Sequence, residues 1–224
     1  MGVYADTDTF SRKILFLFVC YSNSNPLVIR KMYHRYLFES QMLPRNLRVD
    51  RGTETGKMAT THVFLLNQHG IMDDPTDSII YRPSTSNKIE RWWRELHERL
   101  EKFFKEQLVA LLRGREYHPH VALHQQLLAH LFIPIVQRAC DIFVEYWNCH
   151  RIRGQDKLEI PAGVPDHIFS FPEQYGGTNM GMPLRNDQLR EVAELSGVMD
   201  DDVLDFIDPR VKRECLQLLP NPEK

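Results

Sequence analysis

The order of apolar and polar positions along the first third of the chain predicts alternating strands and helices. Val3–Asp6 and Lys13–Tyr21 are predicted as the two strands of a hairpin. The second strand contains the nearly continuous apolar run ILFLFVCY, which is typical of a strand covered on both faces of its sheet. Asn25 and Pro26 supply a helix N-cap and a first-turn proline, and apolar residues then follow at helical spacing as far as Leu37.

Further strands and helices extend this pattern. Leu47–Asp50 and Ile79–Tyr81 are predicted as short strands, with a helix between them from Gly56 to about Gln68. A long helix is predicted from about Ser84 to Leu112. Its apolar side chains are predicted to form one buried stripe: Ile89, Trp92, Trp93, Leu96, Leu100, Phe103, Phe104, Leu108 and Leu111. Residues 1–115 are therefore predicted to form an α/β domain around a mixed sheet.

The remainder of the chain has weaker signals. Residues 116–153 are predicted as a helical extension of the core that is kinked or divided at Pro134. Residues 154–224 are predicted to form a segment containing proline and glycine, irregular up to about residue 186, and then an acidic tail of short helices. Asn186–Gly197 and Pro209–Leu219 are the helices expected in that tail.

Charge changes this picture because it is unevenly placed within a net charge of −2. Residues 1–60 and 82–115 each carry nine Lys or Arg against five Asp or Glu, whereas residues 156–224 carry seven against fourteen. Two basic segments that shared a cleft would attract a polyanion, although they are equally consistent with ordinary solvated faces. No signal peptide or bilayer-length apolar run is recognisable, so a soluble nuclear or cytoplasmic protein without a membrane partner is expected.

The four cysteines and ten histidines do not follow a metal-binding pattern. The cysteines lack CxxC spacing, and free thiols are expected. The histidines have no cysteine partners at zinc-finger spacing and no HExxH motif, so they are interpreted as surface or packing residues.

The segment RVDRGTETG, residues 48–56, is the first that carries chemistry. Asp50 ends a predicted strand and is followed by a glycine-containing turn, which places a carboxylate at the rim of a sheet. Such an aspartate can bind a ligand there. It can also do no more than accept hydrogen bonds from the backbone of the turn.

The second such segment is YRPSTSNKIERWW, residues 81–93. Glu90 follows the predicted helix start, with cationic residues and the amide of Asn87 nearby. The alternative interpretation is a solvated helix face on which Glu90 and Arg94 form an ordinary i,i+4 pair. Thirty-nine residues separate Asp50 from Glu90, and they contain a predicted helix and strand.

Taken together, these two segments resemble the integrase core of retroviral integrases and related DDE transposases, and more narrowly the animal integrase-core proteins derived from transposable elements. The hairpin segment DTFSRKI (residues 8–14), the later EYWNCHRIR (residues 145–153) and GVPD (residues 163–166) also have counterparts in that family. The resemblance covers roughly residues 3–180.

The resemblance implies an RNase H-like mixed sheet flanked by helices, and a site that binds Mg²⁺ or Mn²⁺. In the family, two cations about 4 Å apart activate the attacking oxygen and stabilise the leaving one. Carboxylates are suitable ligands, because Mg²⁺ prefers oxygen. By resemblance, Asp50 completes one metal site and Glu90 the other.

The resemblance also implies DNA as a partner and allows a homo-oligomer. The side chains expected to contact nucleic acid are Lys57, Arg82, Asn87, Lys88, Arg91 and Arg94. Trp92 and Trp93 could stack on bases but are interpreted as core or interface residues. Trp147, Asn148, His150, Arg151 and Arg153 could dock the helical extension or contact DNA.

One family feature has no counterpart in this chain. The first catalytic aspartate of the family lies on a strand before the hairpin, and neither Asp6 nor Asp8 is assigned to that role. The sequence therefore predicts a nucleic-acid-binding integrase relative that lacks the first strand and is catalytically inactive. The alternatives are an active polynucleotidyl transferase, if an upstream segment supplies the strand, or a protein-interaction module that uses the acidic tail or an exposed Trp92/Trp93 helix.

Overall fold

The computed structural model describes residues 1–81, 90–154, 160–199, 204 and 206–218, with the side chains of Glu90 and Arg91 outside the described set. The described elements form a mixed α/β arrangement in which helices outweigh strands. The strands are β1 (Gly2–Thr7), β2 (Ile14–Cys20), β3 (Met42–Pro44), β4 (Leu47–Val49), β5 (Ile79–Tyr81) and β6 (Gly181–Pro183). The helices are α1 (Pro26–Ser40), α2 (Gly56–His69), α3 (Glu90–Leu96), α4 (Lys102–Arg113), α5 (Ala122–Cys149), α6 (Pro165–Ser170), α7 (Asn186–Ser196) and α8 (Pro209–Leu218).

The strands pair in three separate two-stranded sheets among the described residues. Strands β1 and β2 form the predicted hairpin and are antiparallel, with a bulge where Asp6 pairs with Phe16 and Thr7 pairs with Ile14. Strands β4 and β5 are parallel, and β3 is antiparallel to β6. The β3–β6 pair corrects the expectation that residues 154–186 are irregular, because this segment contributes a strand and the short helix α6.

Strand β2 is covered on both faces, as its apolar run predicted. Phe16 belongs to a core cluster with side chains of α1, α2 and α7, such as Tyr33 and Leu65. Leu17 and Val19 belong to a second cluster with α3 and α5. The hairpin therefore lies between two helical layers, because successive side chains of a strand point to opposite faces.

Helix α1 begins where its cap residues predicted. The Asn25 side chain accepts a hydrogen bond from the Leu27 amide at 3.0 Å, and Pro26 occupies the first turn. The helix ends at Gln41, whose backbone adopts a left-handed conformation with φ of 53°. Its buried face includes Ile29, Tyr33 and Leu37.

The long helix that carries Glu90 differs from the prediction in its second half. A π-helical turn, His97–Glu101, separates α3 from α4. Trp92 and Leu96 are buried, but α4 has no buried residue, and Phe103 is 56% exposed. The predicted buried stripe is therefore wrong beyond Leu100. Helical spacing identifies an apolar face but does not reveal whether another element covers it.

Helix α5 continues through Pro134 without a break. By length and composition it could cross a membrane, as no other helix among the described residues could. However, Cys140, Phe143 and Trp147 pack into the cluster around β2 and α3. Helix α5 thus contributes to the same core as the predicted first domain.

Candidate active site

The parallel pairing of β4 and β5 brings the two chemistry-bearing segments to one edge. Val49 pairs with Tyr81, so β4 and β5 end side by side, and Asp50 follows β4 at that end. Neighbouring strands lie about 4.8 Å apart. The RPSTSN segment follows β5 in the sequence, but residues 82–89 lie outside the described residues.

Asp50 is half-buried and takes part in the turn that follows β4. Its Oδ1 accepts a hydrogen bond from the Gly52 amide at 3.2 Å, so the backbone-binding role considered for Asp50 is present. The hydroxyl of Thr55 donates to the Gly52 carbonyl at 3.0 Å and secures the same turn. No bond to Oδ2 of Asp50 is observed within the described residues.

Glu54 folds back over this turn. A Cβ atom added to Gly52 would lie 2.1 Å from Oε1 and 2.4 Å from Oε2 of Glu54. Glycine at position 52 therefore leaves room for the Glu54 carboxylate. The RGTE segment consequently places a second carboxylate over the loop that follows Asp50.

Tyr4 on strand β1 lies within electrostatic reach of this loop. Burial raises the pKa of its hydroxyl well above the usual value, and the charges of Asp6, Asp50 and Glu54 raise it further. The hydroxyl donates to the sulfur of Met58 at 3.5 Å. The carboxylates that follow β4 therefore affect the ionisation of a hairpin side chain.

Asp6, also on β1, has an unusual environment for a carboxylate. Burial raises its pKa to about 6, and a nearby Asp8 adds to the effect. The Thr7 amide opposes it by donating to Oδ1 at 2.7 Å. Asp6 can therefore gain or lose a proton near neutral pH.

Tyr4, Asp6 and Glu54 were not among the predicted site residues. Glu54 could have been found, because it belongs to the same RGTE segment as Asp50. Tyr4 could not, because its approach to this loop depends on how the hairpin packs against α2. Asp6 could not, because its buried environment depends on the same packing.

Two of the predicted nucleic-acid contacts have side chains among the described residues. Lys57, in the first turn of α2, and Arg94, on α3, are exposed. The backbone of Glu90 and Arg91 begins α3, but their side chains lie outside the described residues, as do Arg82, Asn87 and Lys88 entirely. The pairing of Asp50 with Glu90 therefore stays a prediction.

The described residues do not form a metal site by themselves. Among them, no three His, Cys, Asp or Glu side chains are close enough together to hold an ion. Asp6 therefore does not complete a site with Asp50 there.

The WNCHRIR segment has a structural role. The Trp147 Nε1 donates to the carbonyl of Arg12 at 2.9 Å. Asn148 accepts from the Ile14 amide at 2.8 Å and donates to the Ile14 carbonyl at 2.9 Å. In addition, the Arg12 guanidinium donates to the backbone carbonyl of Arg153 at 3.0 Å. These bonds dock the helical extension onto the hairpin, which was one of the two roles considered.

The two adjacent tryptophans of α3 do not form an exposed surface. Trp92 is 2% exposed and belongs to the cluster around β2, and Trp93 stacks on it with ring centroids 4.3 Å apart. The suggestion of an exposed Trp92/Trp93 helix is therefore wrong, because α5 and the hairpin cover this face of α3.

Comparison with known proteins identifies the family. A sequence model described as the integrase core domain matches residues 2–164. No curated protein and no solved structure was found to match the chain. The matched region contains the hairpin, the Asp50 loop, helix α3 and the WNCHRIR segment, and it covers most of the chain. An RNase H-like fold follows from this membership. The chain therefore belongs to the integrase core domain family.

Proposed function

We propose that this protein binds nucleic acid through an integrase-core surface and that the chain as given does not catalyse DNA integration or transposition. The observation that carries the proposal is the parallel pairing of Val49 with Tyr81, which brings the end of the strand before Asp50 to the end of the strand that precedes the Glu90 segment in the sequence. A family function related to DNA integration supports DNA as the partner. The proposal includes a nuclear or cytoplasmic location, because a DNA partner requires access to DNA.

Exposed cations of the Asp50 loop, α2 and α3 support contact with phosphates. Lys57 and Arg94 are exposed, and no ion pair to either is observed within the described residues. Arg48 and Arg51, on either side of Asp50, are also exposed. Such cations would bind a phosphate backbone and partly offset the negative charge of the Asp50 loop. Resemblance to the family alone supports four further phosphate contacts, by Arg82, Asn87, Lys88 and Arg91.

The carboxylates support the inactive interpretation. Two-metal catalysis needs enough oxygen ligands to hold both ions, and the family assigns this chain only Asp50 and Glu90. Asp50 also uses one carboxylate oxygen in its own turn. Any binding of Mg²⁺ or Mn²⁺ by these two residues is therefore proposed to be weak.

Backbone edges of the hairpin support the proposed lack of one strand. The Gln137 side chain accepts a hydrogen bond from the Val19 amide at 2.8 Å and donates one to the Leu17 carbonyl at 2.9 Å. These backbone groups of β2 therefore point away from β1. The backbone N–H and C=O groups of their register partners Val3 and Ala5 then point away from β2. In an antiparallel pair, two opposed residues either bond to each other or both direct these groups outward. No described strand pairs with that outer edge of β1. A strand between β1 and β4 would satisfy these groups and join the two sheets.

Salt-dependent DNA binding tests the first part of the proposal. We expect fluorescence anisotropy to show binding of a short DNA duplex, with an affinity that falls steeply as salt rises. Replacing both Lys57 and Arg94 with glutamine should lower the slope of log K against log salt by about 2, close to 0.9 per phosphate contact. The double variant Arg138→Gln and Arg210→Gln removes the same charge elsewhere and should leave the slope unchanged. Absence of binding at physiological salt would contradict the proposal and favour the protein-interaction alternative.

A cleavage assay tests the second part. Magnesium-dependent nicking or strand transfer by the purified chain, abolished in Asp50→Ala, would overturn the inactive interpretation. The alternative of an active enzyme is tested by adding an N-terminal strand that carries either aspartate or asparagine at its centre. Activity with aspartate alone would show that a missing carboxylate limits the chain.

A further inference from the structure

An elongated apolar cavity lies among α1, β2, α5 and α7, and the proposed function does not use it. Its volume is about 840 Å³, within the usual range for small-molecule sites. Its walls are mostly apolar side chains, among them Phe18, Val28, Met32, Ile133, Ala193 and Val198. A cavity of this size in an otherwise packed domain can accept a ligand with substantial apolar area.

The lining residues of α1 define the shape of the cavity. They extend from Asn25 to Phe38 along one face of the helix. At 1.5 Å per residue this corresponds to roughly 20 Å. Phe38 at the far end is 51% exposed, so the cavity opens there to solvent. An extended apolar chain therefore fits this shape better than a compact ring system.

Charge around the cavity is predominantly positive. The cationic residues that line it are Lys31, Arg35 and Arg190, against the single acid Asp141. Asp141 accepts a hydrogen bond from Gln137 at 2.8 Å, and Arg35 shares its charge with Glu39 at 2.7 Å. Arg190 is exposed on α7. The positive excess favours a ligand with a negative group.

Two of these cations line the cavity from helices that contact each other. Arg35 lies on α1 and Arg190 on α7, and the His34 Nε2 of α1 lies 3.0 Å from the Leu189 carbonyl of α7. The guanidinium of Arg35 also lies over the Phe18 ring, 5.5 Å from its centroid. An anionic head at this position would leave its apolar chain among Val28, Met32 and Val198.

We propose that this cavity binds a single-chain amphiphile with a carboxylate head, of the fatty-acid class. The apolar walls bind the chain through the hydrophobic effect, and Arg190 and Arg35 bind the carboxylate by charge-assisted hydrogen bonds. The site is independent of the proposed DNA surface, because it shares no residue with the Asp50 loop or with α3.

A fluorescent polyene fatty acid, used below its micelle concentration, tests the proposal on the full chain. We expect saturable binding of one molecule per chain, and binding about tenfold weaker for the alcohol of the same chain length, the usual size of one charge-assisted hydrogen bond. Arg190→Glu should weaken binding of the acid about tenfold and leave the alcohol unchanged. Arg138→Glu, an equal charge change at an exposed position outside the cavity, should change neither.

A variant that fills the cavity provides a second readout. Ala193 is 5% exposed and lines the cavity, so Ala193→Trp should abolish binding of both acid and alcohol. Circular dichroism establishes whether Ala193→Trp folds. If this variant does not fold, the acid and alcohol affinities of Arg190→Glu test the proposal. Equal binding of acid and alcohol overturns the proposal. Sedimentation that shows a dimer, together with no binding of the acid, also overturns it, because a second copy would then occupy the groove.

Discussion

The hairpin and the candidate active site are both built from segments that identify the family, but their polar groups are used differently. At the hairpin, side chains of α5 bind backbone groups of β2 far away in the sequence: Asn148 binds Ile14, and Gln137 binds Leu17 and Val19. At the site, the observed bonds of the Asp50 carboxylate stay within its own turn. The family pattern therefore contains one part that holds the fold and another that serves function.

This difference has a physical reason. A strand edge must satisfy each buried N–H and C=O, and an amide side chain can donate and accept at once, as a neighbouring strand would. Helix α5 uses Asn148 and Gln137 in this way to close the outer edge of β2. A metal or phosphate site requires the opposite, because polar atoms already bonded within the protein cannot bind a ligand. Substitutions in the hairpin should therefore reduce stability, whereas those at the site should change stability little.

The largest expected effect is at Asn148. Asn148→Leu leaves both backbone groups of the buried Ile14 without partners, and each such group costs about 1–3 kcal/mol. We expect the free energy of unfolding to fall by about 3–5 kcal/mol, measured by urea denaturation. Gln126→Leu on the same helix is the control, because no hydrogen bond from that side chain is observed, and it should cost little. A loss below about 1 kcal/mol for Asn148→Leu would show that water replaces the amide and that the edge is not closed.

The second effect concerns the α1–α2 layer between these two regions. His62 is fully buried, and its Nδ1 lies 2.8 Å from the Tyr33 hydroxyl. Burial lowers its pKa from 6.5 to about 4. Below pH 6.5 the unfolded chain therefore binds a proton that the folded protein does not accept until about pH 4. Stability that is present above pH 6.5 should be lost as the pH falls towards 4, by on the order of 3 kcal/mol.

Denaturation of the protein and of His62→Gln at pH 7 and pH 4.5 measures this loss. Between the two values the unaltered protein should lose about 2–3 kcal/mol of stability relative to His62→Gln, a comparison in which the pH dependence of Asp6 and other shared groups cancels. His120→Gln, at an exposed position, controls for the removal of a histidine as such. Parallel behaviour of all three proteins would mean that His62 accepts a proton in the folded state.

The sequence predicts features that depend on neighbouring residues better than features that depend on contacts between distant segments. Local signals located the hairpin, α1 and the strand before Asp50 correctly, because the run ILFLFVCY and the Asn25-Pro26 pair act within a few residues. Pairing between distant segments could not be predicted. The β3–β6 contact of Met42 with Pro183 joins two segments that carry no matching turn or repeat. The exposure of Phe103 was missed for a related reason, since an amphipathic face does not specify its partner.

The candidate site was predictable only as far as its own segment extends. Asp50 and its turn follow from RVDRGTETG, but the approach of Tyr4 depends on the packing of the hairpin against Met58 of α2. The amide role of Asn148 was considered only as general docking, because a helix–strand contact of this kind has no sequence signature.

The third effect concerns Asp6, a hairpin residue whose carboxylate is buried and therefore costly to ionise. Its folded pKa, raised from 3.8 to about 6 by burial, means that ionisation costs folding free energy. The stability that protonated Asp6 contributes to the fold is fully present below pH 3.8 and is lost as the pH rises through 6. Asp6→Asn should therefore raise the free energy of unfolding at pH 7 by on the order of 2 kcal/mol. The asparagine oxygen can still accept the Thr7 amide.

Denaturation of this variant at two pH values supplies its control. The gain at pH 7 should disappear at pH 4, where Asp6 is largely protonated in the folded protein and so no longer costs the fold a buried charge. A loss of stability at pH 7 would instead mean that the Asp6 carboxylate is paired with a cation, and it would assign Asp6 to the hairpin's structural contacts.

The smallest effect distinguishes the two glycines of the Asp50 loop. An alanine Cβ at position 52 would overlap the Glu54 carboxylate, whereas position 56 has open space. Both backbones have ordinary negative φ, of −68° and −57°, so neither substitution is strained. Gly56→Ala should stabilise by about 0.5 kcal/mol through the entropy of the unfolded chain. Gly52→Ala gains the same entropy but must displace Glu54, a flexible side chain, so its net effect on unfolding should lie near zero. If Gly52→Ala cost several kcal/mol, the Asp50 loop would be as tightly held as the hairpin, and the division between a structural and a functional part of the family pattern would not hold.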